Sequence, residues 1–224
     1  MSEVRDQPAS DSSKPRLSVT VFSDYICPFC YVGDARLDKL RAAYELDVNW
    51  CFFEIHPDNP AEGKPVEELG YPPEQWRHMM ANLERMAKSD GLPLAPRTFT
   101  TNSHSALLLA EATRSLAPQA FDSLHKRLFE AYFAERQNIG DRDVLRKIAA
   151  ECAIPEDVVE QAWSDPDYEE RLRAQYHRAA RIGVQGVPAF LFGRHMVSGA
   201  VPAETLFRAA DFVLNEASGE GDEE

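Results

Sequence analysis

The chain of 224 residues lacks long apolar runs and an excess of basic charge. No stretch reaches the roughly 18 apolar residues of a membrane-spanning helix, and Met1 to Pro15 has no apolar core like that of a signal peptide. Its 24 basic and 37 acidic side chains give a net charge of -13, which argues against binding nucleic acid or anionic lipid. We therefore expect a cytoplasmic protein without a nucleic-acid or membrane partner.

The chain also has little cysteine and no spacing typical of a metal site. Only four cysteines and six histidines occur, with one CxxC motif and no HxxxH pair, so a zinc site would lack two ligands. Disulfide frameworks are rare in a reducing compartment, so Cys51 and Cys152 are predicted to be buried small hydrophobes. No metal is expected, although half a zinc site, or two inert thiols, remains an alternative for Cys27 and Cys30.

What the chain does have is the motif Cys27-Pro28-Phe29-Cys30, which lies between a strand-like apolar run and a helical pattern. A cysteine at a helix N-terminus gains thiolate stabilisation from unpaired N–H groups and from the helix dipole. Pro28 suits the first helical position. The motif favours dithiol–disulfide exchange, with Cys27 as nucleophile, Cys30 as resolving thiol and Phe29 as an apolar substrate contact. This chemistry needs no bound cofactor, because the electrons reside in the two sulfurs.

The pattern around this motif predicts a β-α-β unit followed by a helical region. A strand begins near Arg16, a helix continues to about Glu45, and a second strand at 48–54 has bulky apolar groups on both faces, as in a strand covered by helices on both sides. From residue 72 to about Tyr176 the apolar spacing predicts about five helices and no strand. Strands then return at 189–192 and 195–198, before a final helix.

Two further patterns within the helical region have competing interpretations. Trp76 and Met79 lie in an apolar stripe at helical spacing, which favours a place in the core over a partner-binding surface. The basic stretch from Arg171 to Arg181 is predicted to be a solvated helix face with Glu169 and Glu170 as its ion-pair partners.

Taken together, these features resemble the DsbA branch of the thioredoxin superfamily, and specifically FrnE-like DsbA oxidoreductases. The resemblance spans residues 16 to 215. It is carried by the following segments: Phe22–Gly33, Asn102-Ser103 to Ala106, Ala131–Phe133, Asn138–Gly140 and Gly186–Pro188.

The resemblance implies an α/β, thioredoxin-like fold with a large all-helical insertion. The thioredoxin-like domain would comprise residues 16–60 and 166–215, and the insertion residues 61–165. Residues 1–15 would form a disordered tail, and 216–224 a disordered acidic tail.

The resemblance also implies roles for individual residues. Pro188 would follow a cis peptide bond beside the CxxC motif, and Val187 would present its backbone to an extended substrate. Many relatives have an acidic residue six positions before the nucleophile, where this chain has Val21. Asp24 is therefore a candidate proton relay, with a hydrogen-bonded turn residue as the alternative. His104 is a candidate cleft residue, with a helix-surface position as the alternative.

The predicted function is that of a thiol–disulfide oxidoreductase acting on protein disulfides or on small thiols such as glutathione or bacillithiol. Two alternatives stay open. Kappa-type glutathione transferases and 2-hydroxychromene-2-carboxylate isomerases share the insertion but usually lack the paired cysteines. A chaperone-like binding module would need no reactive thiol. The direction of exchange, the physiological substrate and the oligomeric state cannot be read from the sequence.

Overall fold

The fold consists of a four-stranded sheet and eight α-helices, seen in a computed structural model that describes residues 14–219. In chain order the elements are β1 (Arg16–Ser23), α1 (Pro28–Asp38), a 3-10 helix (Lys39–Ala42), β2 (Glu45–Phe52), β3 (Lys64–Pro65), a second 3-10 helix (Val66–Leu69), α2 (Pro73–Asp90), β4 (Phe99–Thr100), α3 (His104–Leu116), α4 (Pro118–Phe133), α5 (Arg142–Glu151), α6 (Glu156–Ser164), α7 (Pro166–Arg181), β5 (Ala189–Phe192), β6 (His195–Ser198) and α8 (Ala203–Gly219). No helix in this part of the chain is both long and apolar enough to span a membrane.

The main sheet has the strand order β2-β1-β5-β6. Strands β1 and β2 are parallel, as their connection through α1 requires, whereas β5 and β6 continue the sheet in antiparallel pairing. Val21 in β1 lies opposite Trp50 on one side and Phe190 on the other. The predicted α/β class and the strands at 189–192 and 195–198 are confirmed.

Helices cover both faces of this sheet. Trp50 and Phe52 of β2 belong to the main core, whereas Cys51 between them packs on the opposite face with Phe22 and Ala179 of α7. This burial confirms that the end of β2 is covered from both sides. The first half of the strand alternates between exposed and partly buried residues.

Several predicted boundaries were wrong. Helix α1 ends at Asp38, and β2 already begins at Glu45. The helical region contains the short strand β4, which pairs with β3 and is too brief for a periodic pattern to reveal. Helices α6 and α7 are separate because Asp165 ends one and caps the other, accepting a hydrogen bond from the Asp167 N–H at 3.0 Å.

The predicted C-terminal tail also needs correction. Helix α8 continues to Gly219, so that Glu216 lies within the helix and not in a tail. The Glu216 carboxylate binds Arg194 and His195 at 3.0 and 2.8 Å. Residues 14 and 15 of the predicted N-terminal tail contact the fold, since Lys14 donates to the Arg41 carbonyl at 2.7 Å and the Pro15 carbonyl accepts the Glu45 N–H at 3.0 Å. The rest of both predicted tails, residues 1–13 and 220–224, lies outside the described residues.

Two asparagines hold the loop that follows β2. The Asn102 Nδ2 atom donates to the Pro57 carbonyl at 2.7 Å, and the Asn138 Nδ2 atom donates to the Ala61 carbonyl at 2.8 Å. Gly140 is needed beside them, because a Cβ atom there would lie 2.5 Å from the Ala61 oxygen. These contacts give the Asn102 and Asn138 segments a structural role in fixing the loop beside the candidate site.

Candidate redox site at the start of helix α1

Cys27 is the N-cap residue of helix α1, and Pro28 occupies the first helical position. The backbone of Cys27 is extended, with φ -82° and ψ 114°, and the Cys27 carbonyl accepts the Cys30 N–H at 3.0 Å. The first turn of the helix contains no acidic residue. The sulfur of Cys27 therefore lies at the positive end of the helix without a competing negative charge nearby on that turn.

Cys30 lies one turn deeper than Cys27. Both thiols are free, and the side chain of Cys30 is almost completely buried, at 1% exposure. Burial raises the pKa of the Cys30 thiol well above its usual value, and the neighbouring Cys27 raises it further. Cys30 is therefore a protonated thiol at neutral pH. It lies behind Cys27, which borders the cleft.

The loop before β5 closes over Cys27. The Val187–Pro188 peptide bond is cis, and the Cys27 Sγ atom donates to the Val187 carbonyl oxygen at 3.6 Å. Gly33 of α1 makes this approach possible, since a Cβ atom there would lie 3.0 Å from Pro188 Cγ and 3.1 Å from Phe190 Cζ. The structure thus brings Cys27, Val187 and Pro188 together.

Cys27 borders a cleft of about 270 Å³ with mostly apolar walls. Phe29 and Val187 line it, and so do Trp76 and Met79 of α2, whose predicted place in the core was therefore wrong. The other lining residues are Ile26, Pro28, Ile55, His56, Leu69, Tyr71, Arg97 and Gly186. The aromatic wall could not be read from the sequence, because a helical apolar stripe looks the same whether it faces a core or a cleft.

Arg97 contributes the only Arg or Lys side chain among the residues lining the Cys27 cleft. Its guanidinium lies 5.8 and 5.3 Å from the ring centroids of Tyr132 and Phe133. No sequence motif pointed to Arg97, which reaches the cleft from an irregular segment before β4.

Asp24 is fully buried in the turn that precedes Cys27. Its Oδ1 accepts the Ile26 N–H at 3.2 Å and its Oδ2 accepts the Ile55 N–H at 2.8 Å. Burial raises the pKa of this carboxyl to about 6, against the lowering effect of the two N–H donors. Asp24 thus joins the Cys27 turn to the loop after β2. This geometry is that of a hydrogen-bonded turn residue, which was the alternative to a proton relay.

His104 lies in a neighbouring cavity of about 500 Å³, and not in the Cys27 cleft. Its two ring nitrogens lie 3.1 Å from Glu54 Oε2 and 2.6 Å from Glu169 Oε1. The hydrogen bond to Glu54, reinforced by Glu169, raises the pKa of His104 to about 9. Ile55 lines both cavities, so His104 borders the redox site only through that residue.

Among residues 14–219 no group of three or more His, Cys, Asp or Glu side chains could hold a metal ion.

The chain belongs to the family described as the DSBA-like thioredoxin domain, which matches residues 18–210. It is 27% identical over 192 residues to the uncharacterized protein YwbO of Bacillus subtilis, covering 85% of this chain and 94% of that protein.

Solved structures give the same fold. The probable DsbA oxidoreductase SCO1869 from Streptomyces coelicolor superposes with a TM-score of 0.80 at 27% identity, over 90% of this chain and 91% of that one. A 2-hydroxychromene-2-carboxylate isomerase superposes with a TM-score of 0.69 at 20% identity, over 92% and 98% of the two chains. A probable oxidoreductase and an isomerase therefore share this fold.

Proposed function

We propose that the protein is a thiol–disulfide oxidoreductase of the cytoplasm in which Cys27 is the nucleophile and Cys30 the resolving thiol. One observation carries the proposal. The Cys27 sulfur lies at the N-terminus of α1, at the wall of an apolar cleft, with Cys30 one turn behind it. Membership of the DSBA-like family and the likeness to SCO1869 support it.

In the reducing direction, the Cys27 thiolate attacks one sulfur of a substrate disulfide. A mixed disulfide forms, and the other substrate sulfur leaves as a thiolate that takes up a proton. Cys30 then loses its proton and attacks Cys27, which releases the second substrate thiol and leaves the Cys27–Cys30 disulfide. Two electrons pass from the protein to the substrate, and the reverse sequence oxidises a dithiol. Because burial raises the pKa of Cys30, the loss of its proton is the step that a relay would assist. That role for Asp24 stays a prediction.

The lining of the cleft favours a protein disulfide with apolar neighbours as the substrate. Phe29, Trp76 and Met79 offer aromatic and thioether surface, and Val187 offers backbone groups beside Pro188 to an extended segment. Glutathione carries two carboxylates, for which the cleft has one guanidinium, that of Arg97. Small thiols are therefore the second substrate class in this proposal.

The experiment is a redox equilibrium of the purified protein against a series of glutathione mixtures, with Cys30→Ser as a trap for mixed disulfides. We expect one two-electron transition in the wild-type protein and accumulation of a mixed disulfide through Cys27 in the variant. Cys152→Ser serves as the control, since that thiol lies far along the chain and should leave the transition unchanged.

The alternatives predict different results. A glutathione-dependent transferase or isomerase has no use for a resolving thiol, so its activity would survive Cys30→Ser. A chaperone-like binding module would keep its function in Cys27→Ser. Absence of a two-electron transition across the glutathione series would refute the oxidoreductase proposal.

A further inference from the structure

A second concave surface in the described part of the chain, separate from the Cys27 cleft, is lined by four arginines. We call it the arginine groove. It lies between the C-terminal parts of α3 and α7 and measures about 450 Å³. Its lining residues are Glu111, Arg114, Ser115, Arg171, Ala174, Gln175, Arg178 and Arg181. None of them lines the Cys27 cleft.

The arginines in this groove are only partly neutralised. Arg114 is paired with the buried Glu111 at 2.7 Å and also donates to the Trp50 carbonyl. Neither Arg178 nor Arg181 has an ion-pair or side-chain hydrogen-bond partner within residues 14–219. Arg171 reaches only the Ser115 hydroxyl at 3.3 Å, and lies 5.1 Å from the ring centroid of a tyrosine.

The predicted pairing of this stretch with Glu169 and Glu170 was wrong. Glu169 is bound to His104 instead, and Glu170 forms no ion pair among the described residues. A protein of net charge -13 thus has three guanidinium groups on one concave face that form no ion pair with any acidic side chain of residues 14–219. Such a local reversal of sign attracts an anionic partner.

The spacing of these groups indicates the kind of anion. Arg171, Arg178 and Arg181 share one face of α7, about 10 Å and then about 4.5 Å apart along its axis. Both helices that form the groove end beside it, α3 at Leu116 and α7 at Arg181. A helix C-terminus carries partial negative charge and so opposes a compact, highly charged phosphate, which helix N-termini bind instead. Carboxylates spread along an extended chain can meet the guanidiniums one at a time.

Exposed apolar side chains adjoin the groove. Leu116 follows the lining residue Ser115 and is 45% exposed, and Ile182 follows Arg181 and is 42% exposed. Arginines beside exposed apolar residues are typical of protein interfaces and not of small-anion sites. We propose that the arginine groove binds an acidic, leucine-containing segment of a partner protein, independently of the redox chemistry.

Fluorescence anisotropy of the full chain with a labelled peptide of alternating glutamate and leucine residues tests the proposal. We expect binding that weakens as salt is added, because the contacts are solvent-exposed charges. The matching peptide of glutamine and leucine should not bind. Arg178→Glu combined with Arg181→Glu should weaken binding of the acidic peptide at least about tenfold.

The matched control combines Arg173→Glu with Arg208→Glu. This variant makes the same change in net charge at two exposed arginines, on the other side of α7 and on α8, and should bind as the wild-type protein does. An unchanged thermal unfolding curve and glutathione equilibrium of the Arg178→Glu, Arg181→Glu variant would show that fold and dithiol are intact.

Four results would overturn the proposal. Equal loss of binding in both double variants would show that the net charge of the protein, and not the arginine groove, determines peptide binding. Displacement of the peptide by an equal concentration of inorganic phosphate would indicate a compact-anion site. Salt-sensitive self-association that disappears in Arg178→Glu, Arg181→Glu would make a second copy of the chain the occupant. No binding at about millimolar peptide would remove the site altogether.

Discussion

Cys27 and Cys152 are buried to a similar degree, yet they lie at opposite ends of helices. Cys152, at 9% exposure, is slightly more accessible than Cys27 at 5%. Cys27 precedes α1, at the positive end of that helix, whereas Cys152 caps the C-terminus of α5, at the negative end. The fraction exposed therefore does not distinguish Cys27, the proposed nucleophile, from Cys152. The position of each thiol relative to its helix does.

Cys51 adds a third environment to this comparison. It lies in the middle of β2 and packs with Phe22 and Ala179 away from the cleft. Burial raises the pKa of its thiol, although the charges of Arg178 and Arg114 oppose that rise. A buried position within a strand thus supplies neither a helix N-terminus nor a neighbouring thiol.

The sharpest test replaces the thiols in turn. Cys27→Ser should lower the rate of disulfide exchange by at least about 1,000-fold, because a hydroxyl forms no mixed disulfide. Cys152→Ser should leave the rate within about twofold of wild type. Insulin reduction and thiol labelling of the two variants would measure this. Comparable loss in Cys152→Ser would contradict the assignment by helix position.

The next test concerns the carboxyl in the Cys27 turn. The pKa of Asp24 is raised from 3.8 to about 6, so the carboxylate is disfavoured in the folded protein. The contribution of protonated Asp24 to the free energy of unfolding is fully present below about pH 4. It is lost as the pH rises through 6, which lowers the free energy of unfolding by up to about 3 kcal/mol. Asp24→Asn should remove this dependence, as followed by urea unfolding between pH 4 and pH 7.

Asp122→Asn, at an exposed position on α4, is the matched control and should keep the wild-type pH dependence. A proton relay through Asp24 would additionally slow the resolution of mixed disulfides in Asp24→Asn. An unchanged resolution rate would leave Asp24 with its structural role alone.

A smaller effect is expected where α1 meets the loop before β5. Gly33→Ala places a Cβ atom 3.0 Å from Pro188 Cγ, and we expect a loss of about 1 to 3 kcal/mol from this overpacking. The general gain from replacing a helical glycine opposes this loss but is smaller. Gly186→Ala, with no neighbouring atom within 4 Å of its added Cβ, is the stability control. Greater stability of Gly33→Ala in urea would show that the loop can move.

The sequence predicted most features that depend on neighbouring residues along the chain. It predicted few of the contacts between residues that are distant in sequence. Pro28 after Cys27 located the start of α1, and the turn at Gly193 located the end of β5 and the start of β6. These signals are local. One of the two backbone N–H groups that donate to Asp24 is that of Ile55, 31 positions away, and neither residue type indicates that contact in the sequence.

Helical periodicity similarly located α2 but not its surroundings. Trp76 and Met79 repeat as core residues do, yet they line the cleft together with Leu69 and Tyr71 of the segment before α2. His104 was placed near the site by resemblance, and its two carboxylate partners come from β2's following loop and from α7. Such convergence depends on the packing of three separate segments.

The smallest effect is expected at His104, which fastens the loop carrying Glu54 and Ile55 to α7. Glu54 and then Glu169 raise the pKa of His104 from 6.5 to about 9, so its ion pairs stabilise the fold fully below pH 6.5 and are lost as the pH rises through 9. His104→Gln should abolish this dependence. The side chain is 33% exposed, so solvent screening limits the effect to below about 1 kcal/mol.

Urea unfolding at pH 6.5 and above pH 9 measures this difference, with His78→Gln on the exposed side of α2 as control. Because Ile55 lines both cavities, His104→Gln should also alter the exchange rate at Cys27 modestly while leaving the labelling rates of Cys51 and Cys152 unchanged. A variant that labels faster at Cys152 than at Cys27 would show that general loosening, and not the local loop, governs access to the thiols.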